Sequence, residues 1–219
     1  MKGKLLILGS LTVAVQFANA LSYSDGTFAD SDWAMVTFPS SPTGQFTEQI
    51  SAGGNPGAYK RVATINNNFT YNAHLRAAFT YDPSSMGAIS SIDWSIDYKN
   101  FFSFGLGQGY GLVLQQGGTI YRGNFFATGL GGGWQTTSES GLTSLVFGDG
   151  ISGSSHPNFS SSGSPITFGF MTSNGNAATI DIGYDNYRVT LNSVPEPAVA
   201  LTLGSIFGGL LLRLRARRQ

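Results

Sequence analysis

The chain has 219 residues, enough for one domain with a real core, and its 12 basic and 12 acidic side chains balance. With no cysteine, disulfides and thiolate metal sites are excluded. Only 11% of residues are charged while 30 are glycine, a bias that favours short strands joined by polar turns over helices.

Residues 1–20 carry the three parts of a secretory signal. Lys2 and Lys4 supply a positive start, Leu5 to Val15 an apolar run, and Ala18-Asn19-Ala20 a small-x-small cleavage site. The apolar run is short for a bilayer span, so a cleaved leader is expected, read by the secretion translocon and signal peptidase.

From Leu21 onward the pattern is that of strands. Ser91 to Tyr98 alternates polar and apolar residues without a break, which predicts Ile92, Trp94, Ile96 and Tyr98 in the core and Asp93 and Asp97 toward solvent. Further strands are expected at Tyr59–Ile65, Leu75–Tyr81, Gly111–Gln115, Thr119–Phe126, Ile166–Thr172, Thr179–Gly183 and Tyr187–Leu191. Turn residues separate them: Asn66 to Asn68, Asp82-Pro83, Gln116 to Gly118 and Gly131 to Gly133. Asn174-Gly175-Asn176 predicts a hairpin between Ile166–Thr172 and Thr179–Gly183, and the Gly/Ser-rich stretch from Ser152 to Ser164 predicts a loose loop. No segment of the body shows sustained helical periodicity. The expected fold is all-β: a single β-sandwich of jelly-roll type over residues 21–193.

Residues 194–219 read differently. Val194-Pro195-Glu196-Pro197 cannot continue a ladder or sit inside a helix, so it predicts an extended hinge. The apolar stretch Ala198 to Leu212 follows, roughly 22 Å long as a helix and short for a span unless flanking arginines snorkel. Arg213, Arg215, Arg217 and Arg218 then place the extreme C-terminus on the cytoplasmic side. Together these predict one C-terminal transmembrane helix with the body outside the inner membrane.

This order of Pro-Glu-Pro motif, apolar helix and basic end resembles the PEP-CTERM sorting signal. The resemblance implies recognition of Val194 to Pro197 by exosortase, a membrane enzyme of Gram-negative bacteria. It also implies a transient inner-membrane intermediate, then release to the cell surface or the exopolysaccharide matrix.

Between the two ends the body keeps six basic side chains (Lys60, Arg61, Arg76, Lys99, Arg122, Arg188) against eleven acidic ones, a net charge near −5. Nucleic acid is therefore not an expected partner, since phosphate binding needs clustered cations. Extracellular polysaccharide is.

Enzymatic chemistry finds few footholds. A nucleophilic triad needs a base, and only His74 and His156 are available, the first read as an exposed strand-end residue and the second set in the loose loop. No Gly-x-Ser-x-Gly elbow occurs. Asp93 and Asp97, four residues apart on one strand, lie roughly 13 Å from each other, wide for a glycosidase pair. A non-catalytic protein is expected, with a polysaccharide-active enzyme the less favoured alternative. The Gly107, Gly109 and Gly111 run superficially suggests a phosphate loop but precedes a strand, so a hairpin or bulge accounts for it better.

Two binding chemistries stay open. Aromatic rings stack on sugar faces, and Trp33 and Trp134, each beside turn residues, are the candidate glycan platforms. The segments Asp25 to Phe28 and Gly183 to Leu191 also resemble the first and last strands of jelly-roll carbohydrate-binding and laminin-G-like modules. That resemblance implies paired terminal strands and, as the one candidate cofactor, a structural calcium held by Asp25, Asp30, Asp32 and Asp185.

Overall fold

A computed structural model describes residues 20–38, 45–66, 69–103, 108–150, 153–174 and 178–193. These belong to one compact unit, Ala20–Val194. Of the expected leader, residues 1–20, all but Ala20 lie outside the described residues, as does the whole expected sorting tail from Val194. Among the described residues no helix is long and apolar enough to cross a membrane.

The strands are β1 (Ala20–Asp25), β2 (Trp33–Phe38), β3 (Gln45–Gly54), β4 (Gly57–Asn66), β5 (Thr70–Tyr81), β6 (Ile89–Ser103) and β7 (Gly109–Gln116). They continue as β8 (Thr119–Arg122), β9 (Phe126–Ala127), β10 (Gln135–Leu142), β11 (Gly148–Asp149), β12 (Ile166–Asn174) and β13 (Ala178–Ser193). Among the described residues helix is confined to single turns such as Pro83–Met86, which Asp82 caps by accepting from the Ser84 N–H. The molecule is thus nearly all-β.

Two antiparallel sheets form the sandwich. One runs β10-β6-β13-β4-β3 with β1 added on β13; the other runs β11-β8-β7-β12-β5-β2 with β9 added on β7. The first and last strands pair, from Ala20 opposite Asn192 to Asp25 opposite Tyr187. The first strand therefore ends where the sequence reading began it, and Asp25 to Phe28 is a turn.

Alternation along the strands builds the core. Ile92, Trp94, Ile96 and Tyr98 of β6 meet Tyr110, Leu112 and Leu114 of β7 and Phe168 and Phe170 of β12 in one buried cluster. Burying a side chain of this size stabilises by about 1.5–3 kcal/mol. Trp33, Phe28, Phe79, Phe170 and Tyr187 form its aromatic end, Trp33 stacking on Phe28 at 5.1 Å between centroids. A second, smaller cluster of Ala73, Leu75, Val113 and Met171 lies on the outer face of the seven-stranded sheet.

Four expectations are corrected. Asp97 is buried rather than solvated, because β10 and the β3–β4 turn deliver donors to it. Strands β12 and β13 belong to different sheets, so the hairpin expected between them does not form; Gly175 and Asn176 of its expected turn lie outside the described residues. Thr179–Gly183 and Tyr187–Leu191 are one strand, carried through a register shift between Asp185 and Arg188. Residues 153–164 are tied down: Asp149 accepts from the N–H groups of Gly153 and Ser155 and from the Ser155 hydroxyl, and the Gln116 amide bridges the Asn158 and Ser164 carbonyls.

Candidate functional site

The outer face of the six-stranded sheet carries the site. Cross-strand register sets its rows: Phe46, Ala63, Asp181 and Phe102 lie side by side, and Glu48, Arg61, Gly183 and Lys99 form the next row. Beyond that row stand Tyr59, Asp97 and Thr136. A bulge in β6 between the partners of Asp181 and Ile182 leaves Phe101 unpaired. Two consecutive phenylalanines consequently face solvent, Phe101 at 42% and Phe102 at 55% exposure.

Gly183 is the floor on which the rings meet. A Cβ there would lie 2.9 Å from each of Phe101 Cε2, Trp134 Cη2 and Tyr59 Cδ2, so rings from β4, β6 and the residue before β10 converge over a residue that must lack a side chain. Tyr59, only 9% exposed, is the buried support of the platform: it packs 5.5 Å from both Phe101 and Trp134, the latter nearly edge-on. The Lys99 ammonium sits 5.0 Å above the Phe101 ring. Trp134 is half-buried, and its indole N–H donates to the Gly53 carbonyl at 3.2 Å, fixing the ring at the edge of the platform.

Polar groups flank the rings. The Arg61 guanidinium grips Asp181 with two bonds, of 2.9 and 2.6 Å, and reaches Glu48 at 3.1 Å. Hydrogen bonds donated to these two carboxylates, Asp181 first, hold Arg61 firmly protonated. Beside it a cleft of about 300 Å³ opens between Phe46, Phe102, Ile65 and Thr179. Aromatic faces beside fixed donors and acceptors are what recognition of a sugar chain requires.

The other sequence candidates fall elsewhere. Trp33 is only 8% exposed, deep in the aromatic end of the core, with its indole N–H on Asp25 at 2.9 Å, so it offers no face to a ligand. Asp25 also accepts from the Thr27 and Phe28 N–H groups, the Thr27 hydroxyl and Arg76. Burial alone would raise its carboxyl, but the hydrogen bonds from Thr27, Phe28 and Trp33 outweigh it and hold the group below the ordinary value. Asp30 pairs with the buried Lys60 and Asp32 with Arg76. A calcium ion would thus compete with two cations for three of its four expected ligands. Among the described residues no group of three or more histidine or acidic side chains is placed to hold a metal.

Asp185, the fourth, anchors a buried knot. It is fully buried opposite Asp97 and accepts from the N–H groups of Asn55 and Asn186 at 2.5 and 2.7 Å. The side-chain amides of Asn55 and Asn186 in turn donate to Asp97 at 3.0 and 2.8 Å, and the Thr136 hydroxyl at 2.6 Å. Burial raises the Asp185 carboxyl above its ordinary value; the two N–H groups pull back, and the charges of Asp97 and Asp25 push up again. The knot fixes the β3–β4 turn, with its cis Asn55–Pro56 peptide, against β6 and β13.

His74, His156, Glu139 and Asp93 are also bound in place. His74 is buried, stacked 4.5 Å from Phe170 and hydrogen-bonded to Thr172, where burial, aided by the Lys60 charge, lowers its pKa to about 3. It faces inward because it occupies a core-facing position of β5, not an exposed strand end. His156 is held by the Phe147 carbonyl at 2.7 Å. Glu139 accepts from the Trp94 indole and the Asn124 amide, and Asp93 from the Gly141 N–H and the Asn192 amide.

Sequence reasoning named Trp134 and missed Tyr59, Phe101 and Gly183. The signal was there in Asp97-x-Lys99-x-Phe101, which extends the alternation of Ser91–Tyr98 on its outer side.

No family model matches the chain, and neither does any curated protein. Among solved structures the chain is similar to the family 11 carbohydrate-binding module of Clostridium thermocellum, solved with a β-1,3-1,4-mixed-linked tetrasaccharide. Identity is 12%, coverage 84% of this chain and 99% of that one, and the TM-score 0.48. It is also similar to the CBM22-1 xylan-binding domain of Paenibacillus barcinonensis Xyn10C, at 9% identity, 83% and 99% coverage and a TM-score of 0.43. Some similar structures come from enzymes: an exo-β-agarase matches over 80% of this chain and 25% of its own, at 13% identity and a TM-score of 0.44. At these levels no ligand and no residue role passes from those proteins to this one.

Proposed function

We propose that the body is a non-catalytic polysaccharide-binding sandwich, whose ligand lies along the outer face of the six-stranded sheet. The observation that carries this is the convergence of Trp134, Tyr59 and Phe101 over Gly183, with the Glu48–Arg61–Asp181 bridge alongside. Glu48 and Asp181 together offset Arg61 and Lys99, so this part of the face carries no net charge, which suits a neutral chain better than an anionic one. The carboxylates of the body serve as hydrogen-bond and ion-pair anchors, which supports binding without turnover.

The end segments support a delivery route for this domain. The leader carries the chain through the translocon to signal peptidase, and the tail holds it in the inner membrane. Exosortase then acts at Val194 to Pro197, leaving the body at the cell surface or in the extracellular matrix, where polysaccharide is the natural ligand.

Retention on the producing cell's own polysaccharide tests the binding reading. Trp134→Ala and Phe101→Ala are expected to lose it, and a variant pair that is retained like the parent overturns it. Intact-mass measurement with and without exosortase tests the delivery: an identical mass including Pro195 to Gln219 in both strains refutes it.

A further inference from the structure

The opposite outer face, on the seven-stranded sheet, is built on another plan. Its rows read Val36, Ala73, Met171, Gly111 and, beside them, Ala34, Leu75, Gly169, Val113, Arg122. A third row runs Tyr71, Ser173, Gly109, Ala127. Small residues make the floor, and Gly109 and Gly111 let the Asn124–Phe125 segment lie directly on the strands.

Over this floor the Arg122 guanidinium lies 4.8 Å from the centre of the Tyr71 ring and 5.7 Å from that of Phe125. Phe69 meets Tyr71 edge-on at 4.7 Å, and Phe69 and Phe125 are 49% and 40% exposed. Stacking occupies the flat face of a guanidinium and leaves its N–H edge, which fits a carboxylate with two parallel bonds. Among the described residues Arg122, like Lys99 and Arg188, makes no ion pair, whereas Lys60, Arg61 and Arg76 are all paired with carboxylates, and of the three unpaired cations Arg122 is the guanidinium stacked among rings. Two positions along β8, Ile120 lines a cleft of about 400 Å³ with Val36, Thr119, Asp149, Gly150 and Ser155, a size that suits a small ligand. Asp149 there is occupied by Gly153 and Ser155.

We infer that this face is a second glycan site, specific for a uronate, a sugar whose ring carries a carboxylate. Arg122 takes the carboxylate through its N–H edge, the exposed Phe125 ring backs the sugar face, and the cleft beyond Ile120 receives the adjoining residue. The inference does not rest on the neutral-glycan reading of the other sheet, because the two sites share no residue.

Calorimetric titration of the detergent-solubilised full chain with trigalacturonate and with its methyl ester tests it; a short probe avoids repulsion of a long polyanion by the net negative body. Trigalacturonate is expected to bind at least tenfold more tightly than the ester. Arg122→Gln should erase that preference, Arg122→Lys keep part of it, and Trp134→Ala leave it intact. Phe125→Ala should weaken both ligands several-fold, which keeps a readout if Arg122→Gln misfolds on melting. Equal binding of acid and ester, no binding of either, or a preference that survives Arg122→Gln overturns the inference.

Discussion

The two outer faces of the sandwich use glycine for opposite purposes. On the six-stranded sheet Gly183 makes room for side chains, three rings that close over it, of which Phe101 and Trp134 remain partly open to solvent. On the seven-stranded sheet Gly111 makes room for backbone, since a Cβ there would overlap the Asn124 carbonyl oxygen. Rings can swing on their χ angles and a packed chain cannot, so the first face is adaptable and the second is rigid. The contrast also separates the electrostatics: Arg61 is spent on Glu48 and Asp181, while Arg122 keeps its donor edge.

The same substitution on each face breaks the comparison most strongly. Gly111→Ala must displace backbone and is expected to cost about 2–4 kcal/mol, at the upper end of ordinary single-site effects. Gly183→Ala moves only rings and should cost about 1 kcal/mol while abolishing retention on neutral polysaccharide. Equal losses by denaturant unfolding would show that the two floors are alike. Trp134→Ala comes next, with at least a tenfold loss of retention and a stability change of about 1 kcal/mol, because the ring is half-buried and its N–H bond is at the surface.

A pH effect separates the knot from the platform it supports. The raised Asp185 carboxyl means that the folded state favours the protonated form. Its contribution is intact below the ordinary carboxylate value and is lost as pH rises through the raised one. In Asp185→Asn that loss is absent, so the melting temperature of the variant relative to the parent should climb from about pH 4 upward. A constant difference across that window would show that Asp185 titrates as it does in the unfolded chain. Smallest of all, Phe102→Ser should leave stability within about 0.5 kcal/mol, as an exposed position does, yet weaken retention several-fold.

Where hydrophobic alternation was strong, the sequence was enough to read the fold. Ser91–Tyr98 gave β6 and its core residues, and Gly117-Gly118, both at positive φ, gave the tight β7–β8 turn. β10 was missed because Gln135–Leu142 carries one buried apolar residue, Leu142, and is held by pairing with β6 rather than by its own pattern. His74 was placed outward and Asp97 taken as solvated because polarity was read as exposure, although Phe170 and Thr172 hold the first in the core and the amides of Asn55 and Asn186 cover the second on the outer face. The platform was half legible: Trp134 stood out as a residue type, but its partners Tyr59 and Phe101 come from strands that only register brings together, and no local period encodes register.

The indole N–H resonances of Trp33, Trp94 and Trp134 report on three separate places, bonded respectively to Asp25, Glu139 and Gly53. Nuclear magnetic resonance titration with neutral oligosaccharides of the producing cell's polysaccharide therefore tests the central claim directly. The account predicts that the Trp134 resonance moves with saturating dependence on ligand while Trp33 and Trp94 stay in place. A Trp134 resonance that does not move, or three that move together, would contradict it.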